Sequence, residues 1–168
     1  MIPVWLLGIF IGIINKKGLN RATDMSWYTL KDKISSFISM FSMIFFMMIS
    51  LFISPMFESI LFYIGLLLII IGLLGHIISK INYLNAPEDK AIVTGLYRYS
   101  RNPMYFFFLL VLIGSSIIAQ SLILMIVCFI SLISTHLIIL GEERYCKERY
   151  GDSYIEYMKK VPRYFLFV

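Results

Sequence analysis

Hydrophobic and polar positions along this chain separate into long blocks, with little of the short alternation of a water-exposed helix or strand. The clearest blocks are residues 34–56 and 59–79, parted by Ser54-Pro55 and the lone acid Glu58. Each is close to the ~20 apolar residues a helix needs to cross about 30 Å of hydrocarbon. The short break between them predicts a tight helical hairpin. A third block, Met104 to Leu140, holds no Lys, Arg, Asp or Glu. It is long enough for two short helices, 104–119 and 121–140, turning near Ala119-Gln120-Ser121. The first block, Ile2 to Ile14, is shorter than a normal span and could be mistaken for the core of a signal peptide. No basic residue precedes it and no small-x-small cleavage site follows before Lys16-Lys17, so it reads as a short first helix over residues 2–15. The pattern predicts an all-α integral membrane bundle of about five transmembrane helices. Residues 1–168 form a single membrane domain with a cytoplasmic C-terminal helical segment.

Charge turns this pattern into a topology. All fifteen Lys and Arg fall in three segments: Lys16 to Lys33, Lys80 to Arg101, and Arg144 to Arg163. With five spans these segments share one face, and cations flanking a span are retained on the cytoplasmic side. The expected location is therefore the cell (inner) membrane, with the N-terminus outside and the C-terminus inside. Composition agrees, with 60% hydrophobic and 15% charged residues and a mean hydropathy of +0.84, far from a soluble domain. The net charge of +5 sits beside spans and not on a basic domain, so it points to anionic lipid headgroups and away from nucleic acid. Cys128 lies within a span and Cys146 in the tail, without a C-x-x-C spacing or a histidine cluster. Neither a disulfide nor a metal site is indicated.

A lipid-buried helix satisfies its backbone internally, so chemistry must come from polar groups at or between the span ends. Two segments concentrate them, Asn82 to Tyr105 and Gly141 to Tyr164. In the first, Pro87, Gly95 and Pro103 break helical periodicity and leave backbone groups free for a polar ligand. Tyr97, Tyr99 and Tyr105 add aromatic faces, and Arg98 and Arg101 add cations; the same side chains also suit an ordinary interfacial loop with an aromatic belt. In the second, Glu142 and Glu143 stand where the last span meets water. Adjacent helical residues point about 100° apart, which argues against a close acid/base dyad. Glu143 has Lys147 as an i,i+4 partner and Glu142 has none, which favours Glu142 as the ligand-binding carboxylate. Tyr150-Gly151 and Tyr154/Tyr157 read as a helix end followed by a short amphipathic helix. His76, His136, Gly72 and Gly75 read as packing positions.

These two segments resemble the isoprenylcysteine carboxyl methyltransferase and phospholipid methyltransferase superfamily. The resemblance rests on Gly95-Leu-Tyr-Arg-Tyr-Ser-Arg-Asn-Pro-Met-Tyr105, followed by Glu142-Glu143, Tyr150-Gly151-x-x-Tyr154-x-x-Tyr157 and Val161-Pro162-Arg163. It covers residues 82–164. It implies S-adenosylmethionine as methyl donor, with S-adenosylhomocysteine as product, bound on the cytoplasmic side without a Rossmann sheet. No Gly-x-Gly-x-x-Gly is present to contradict this. Carried over by position, the cofactor contacts are Asn82, Asp89, Lys90, Ala91, Ile92, Tyr97, Asn102, Pro103, Met104, Tyr105 and Glu142. Glu142 would hold the donor's α-ammonium through a charge-assisted bond. Many relatives have His where this chain has Asn102, so a ring nitrogen cannot serve there. The eukaryotic prenylcysteine enzymes resemble one another in an arginine one turn before the first glutamate, and that position is Ile138 here.

The implied mechanism is in-line methyl transfer to a lipophilic acceptor: an isoprenylcysteine-like carboxylate, a phospholipid amine or a small thiol. Orientation, desolvation and proximity supply the catalysis, and no enzyme nucleophile is needed. Arg101 is a candidate cation for a substrate carboxylate, and Glu143 a candidate base for an amine. The rival reading is a non-catalytic lipid-binding or assembly protein of the membrane.

Overall fold

The structure, a computed structural model, describes residues 25–54, 57–87 and 89–165; the first predicted span, 2–15, lies outside them. The described residues form five α-helices and no β-strand: α1 Leu30–Ser50, α2 Ile60–Leu84, α3 Pro103–Ala119, α4 Leu122–Tyr150 and α5 Asp152–Lys160. A short 3-10 turn, Gly95–Arg98, lies in the connection from α2 to α3. Helices α1, α2 and α4 are each long and apolar enough to cross a membrane, and α3 is a shorter apolar helix. The chain is a helical membrane bundle.

Helix boundaries follow local chemistry more closely than hydropathy. Helix α1 starts ahead of its apolar block because Thr29 and Asp32 form a capping box: the Asp32 N–H donates to Thr29 Oγ1 at 3.4 Å and the Thr29 N–H to Asp32 Oδ2 at 2.8 Å. It ends at Ser50, short of the expected residue 56. Pro103 opens α3 at its first turn, where a missing N–H costs nothing. Gln120, at φ 44°, closes it, and Ser121 caps α4 by accepting from the Leu124 N–H. The expected turn at 119–121 is where the chain reverses. Helix α4 does not stop at residue 140. Backbone bonding is indifferent to the change from apolar to charged residues, and the helix continues for 29 residues, about 43 Å, until Gly151 at φ +56° ends it.

Consecutive spans α1 and α2 were expected to pack as a tight hairpin, and they do not. Helix α2 packs on α3, α3 on α4, and α4 on α1, because each face has a chemically matched partner. Along α2–α3 the backbones touch: a Cβ on Gly65 would lie 2.6 Å from the Gly114 carbonyl oxygen, and one on Gly72 would lie 2.8 Å from that of Phe107. Small residues permit this close approach in lipid, where dispersion replaces the hydrophobic effect as the driving force. Along α1–α4 the contacts are polar. Ser42 and Ser131 hydroxyls hydrogen-bond at 2.8 Å, and buried Asp32 meets the Arg144 guanidinium at 2.5 Å. Gly141 leaves room for that carboxylate, since a Cβ there would lie 2.4 Å from Asp32 Oδ1. Phe46, Leu112, Leu124 and Val127 form the apolar core where α1, α3 and α4 meet. Phe37, Phe41, Phe45, Leu67, Ile126 and Phe129 point outward, an exposure that lipid accepts and water would not.

The Asp32–Arg144 and Tyr105–Glu142 contacts bring together the starts of α1 and α3 and the end of α4. The Asn82–Leu96 bond adds the end of α2. Both candidate segments therefore meet at one charged end of the bundle.

Candidate functional site

The connection from α2 to α3 is built around Asn82. Its Oδ1 accepts from the Leu96 N–H at 3.0 Å. Gly95 sits at φ +60°, where a Cβ would also fall 2.1 Å from Asn82 Oδ1, so only glycine fits. The turn this creates buries Tyr97, whose carbonyl accepts from the Tyr157 hydroxyl at 2.6 Å. Helix α5 is thereby held under the loop, with Tyr154, Tyr157 and Val161 packed together and Ala91, Cys146 and Met158 around them. Burial pushes the Tyr154 and Tyr157 phenols well above their usual range, so both stay protonated.

The two adjacent glutamates have different surroundings. Glu143 is buried, its side chain 4% exposed, and takes no ion pair from Lys147. Arg163 grips it with two parallel bonds, Nε to Oε1 at 3.0 Å and Nη2 to Oε2 at 2.8 Å. Arg101 Nη2 lies 3.2 Å from Oε1, and Asn102 Nδ2 donates to the same oxygen at 3.4 Å. The bond to Glu143 is the main reason the Arg163 guanidinium holds its proton even more firmly than usual. Paired cations satisfy a carboxylate that burial would otherwise destabilise by several kcal/mol. Glu142 is half-buried and accepts a short hydrogen bond from the Tyr105 hydroxyl. Among the described residues no basic side chain lies within ion-pair distance of it.

A C-terminal strap closes this end. The Arg101 N–H donates to the Pro162 carbonyl at 2.9 Å, and Ser100 Oγ and Asn102 Nδ2 donate to the Arg163 carbonyl at 3.0 and 3.4 Å. Tyr164 and His136 Nδ1 are 2.8 Å apart, and His76 Nδ1 bonds the Met104 carbonyl at 3.1 Å. Both histidine rings are therefore held by hydrogen bonds.

Of the sequence-derived positions, Asn82, Tyr97, Asn102, Pro103, Tyr105, Glu142 and Glu143 converge at the charged end. Pro103 is buried as the first residue of α3. Ala91 and Ile92 are half-buried, while Asp89 and Lys90 face outward. Sequence reasoning missed Trp27 and Tyr28. The Trp27 ring stacks on Tyr145 at 5.0 Å between centroids. Tyr28 is close enough to Glu142 for the carboxylate to act on its phenol, although burial is the larger reason that its proton is held more tightly. Thr29-x-x-Asp32, a capping signature just after these aromatics, is the signal that could have placed them immediately ahead of the start of α1.

A helical membrane bundle that gathers paired glutamates, an Arg-Asn-Pro turn and a tyrosine-rich tail at one end defines a membrane protein with a polar site at the lipid boundary. The phospholipid methyltransferase family model matches residues 59–153, more than half of the chain, and the chain belongs to that family. Membership makes it a membrane protein of the methyltransferase class. No curated protein and no solved structure gives a significant match.

Proposed function

We propose that the chain transfers a methyl group from S-adenosylmethionine to a lipid acceptor, with the amine of a phospholipid favoured over a carboxylate or thiol. The charged end of the bundle then faces the cytoplasm, since every Lys and Arg of the chain flanks it by sequence. The observation that carries the reading is Glu142: a half-buried carboxylate, oriented by Tyr105 and with no cation in ion-pair reach among the described residues. Such a group fits the α-ammonium of an amino-acid moiety, so the residues present suit the cofactor. When bound, the cofactor supplies an electrophilic methyl on a sulfonium, with a neutral thioether as leaving group.

The chain's own part is to hold and to exclude. Glu142 fixes the ammonium, and Tyr105 fixes Glu142. Asn82, Tyr97 and Asn102 shape the loop beside them, and Tyr28 and Trp27 flank the approach from α1. Asn102 carries no titratable proton. Both oxygens of Glu143 already accept from guanidiniums, so its role is to position the loop and strap. An amine acceptor would therefore arrive unprotonated or release its proton to water at the lipid boundary. Ile138, buried on α4 one turn before Glu142, offers nothing to a prenylcysteine carboxylate, which favours the amine.

Titration calorimetry of S-adenosylmethionine into the purified full-length protein, wild type beside Glu142→Gln, tests this. Wild type should bind saturably and the variant about tenfold or more weakly, the loss expected for a bond to a charged group. Labelled methyl should then appear in extracted lipid. A folded wild type that does not bind would transfer support to the non-catalytic lipid-binding or assembly reading.

A further inference from the structure

Arg101 is used from several sides and still has a donor to spare. Its Nη2 faces Glu143, its Nη1 donates to the Met158 carbonyl at 3.3 Å, and its backbone N–H holds Pro162. The side chain is only 8% exposed, yet among the described residues its Nε–H has no acceptor. Buried N–H groups are almost always paired, so an orphan donor at this end of the bundle calls for an acceptor. Charge gives the same indication independently. Among the described residues two guanidiniums, Arg101 and Arg163, share the single carboxylate of Glu143, which leaves one positive charge over. One residue away on α4, Glu142 has the opposite imbalance. The Asp32–Arg144 pair nearby is neutral by itself and cancels neither.

Separated positive and negative excesses at neighbouring positions are complementary to a zwitterion. We infer that Arg101, with Arg163 behind it, is an oxyanion receptor: a carboxylate or phosphate oxygen takes the Arg101 Nε–H while the same ligand's ammonium faces Glu142. A planar guanidinium with fixed donors suits either oxyanion. The amino-acid end of S-adenosylmethionine has this chemistry, a source that rests on the function proposed above. The headgroup of an ethanolamine phospholipid has it too, and that source does not depend on the cofactor.

Calorimetry on the full-length protein in uncharged maltoside micelles separates these. One probe pair is S-adenosylhomocysteine and its analogue lacking the α-carboxylate. The other is a short-chain phosphatidylethanolamine and an amine with the same tails but no phosphate. In wild type, removal of the oxyanion from one pair should weaken binding by about tenfold or more. Arg101→Lys, which keeps the charge and loses the Nε–H, should narrow that gap. A gap in the first pair identifies the cofactor carboxylate. A gap in the second identifies the lipid phosphate, and would stand even if S-adenosylhomocysteine failed to bind. Equal binding within both pairs, or no binding of either parent probe, overturns the inference. The wild-type comparison decides the matter even if the lysine variant does not fold.

Discussion

Replacing Glu143 with alanine leaves the Arg101 and Arg163 guanidiniums together with no carboxylate between them. The carboxylate it removes is 4% exposed and the Arg101 side chain 8%, so little water can enter to compensate. Breaking such a pair by deleting one partner costs about 3–5 kcal/mol, chiefly because a buried charge is left alone. Arg163→Ala should cost far less, roughly 1 kcal/mol: the Arg163 side chain is 32% exposed, and Glu143 keeps Arg101. Glu142→Ala gives up the Tyr105 bond, about 1 kcal/mol. Unfolding by denaturing detergent, followed by circular dichroism in maltoside micelles, should therefore rank Glu143→Ala well below both other variants. Cofactor binding should rank the adjacent glutamates the other way among variants that remain folded, with Glu142 the more sensitive. Glu143→Ala unfolding within about 1 kcal/mol of wild type would show that the arginines find solvent, and would refute the account of Glu143 as a buried hub.

Two further expectations follow from the packing. Gly114→Val places a side chain where even a Cβ lies 2.6 Å from the Gly65 carbonyl oxygen, so α2 and α3 must separate; a loss of about 1–3 kcal/mol in the same unfolding assay is expected. Tyr157→Phe removes the donor to the Tyr97 carbonyl at 2.6 Å and should cost about 0.5–1.5 kcal/mol, with proteolysis in the 95–98 turn as a local readout.

Much of the fold was legible because lipid imposes a simple rule on sequence. The empty stretch Met104 to Leu140, the reversal at Gln120 and the end of α4 at Gly151 can all be read from hydropathy, turn chemistry and one glycine. Partners were less legible. Hydropathy marks where a helix leaves lipid, not where it ends, so it does not by itself show that residues 141–150 continue α4. The i,i+4 rule assigned Glu143 to Lys147 as though the helix were solvated. Burial against the strap overrode that local preference, because Arg163, 20 residues away, offers a planar double contact. Asp32 and Arg144 are 112 residues apart, and nothing local in either segment predicts their pairing. Asn82 meets Leu96 across 14 residues, whereas Tyr105 meets Glu142 across 37 and Asn102 meets Glu143 across 41. Trp27 and Tyr28 reach the site only through the packing of α1 on α4.

The strap itself can be tested apart from its side chains. Its residues 161–165 hold three backbone or hydroxyl anchors as well as the Arg163 ion pair. The Arg101 N–H at 2.9 Å from the Pro162 carbonyl is the cleanest reporter, because it sits in the Arg-Asn-Pro turn just ahead of α3. A chain ended after Lys160 loses this bond, the Ser100 and Asn102 bonds to the Arg163 carbonyl, and the Phe165 ring that packs on Phe106 at 4.8 Å. Glu143 keeps Arg101, so its buried carboxylate is still paired, and the loss should resemble that of several ordinary hydrogen bonds, about 3 kcal/mol. Exchange of the Arg101 amide should accelerate sharply, while amides in the middle of α3 and α4 keep their protection. Arg163→Ala, which keeps the strap's backbone, should leave Arg101 exchange nearly unchanged. If the two variants accelerate it equally, the guanidinium holds the turn and the backbone bridge is incidental; if only the truncation does, the tail's main chain is the structural element that closes the site.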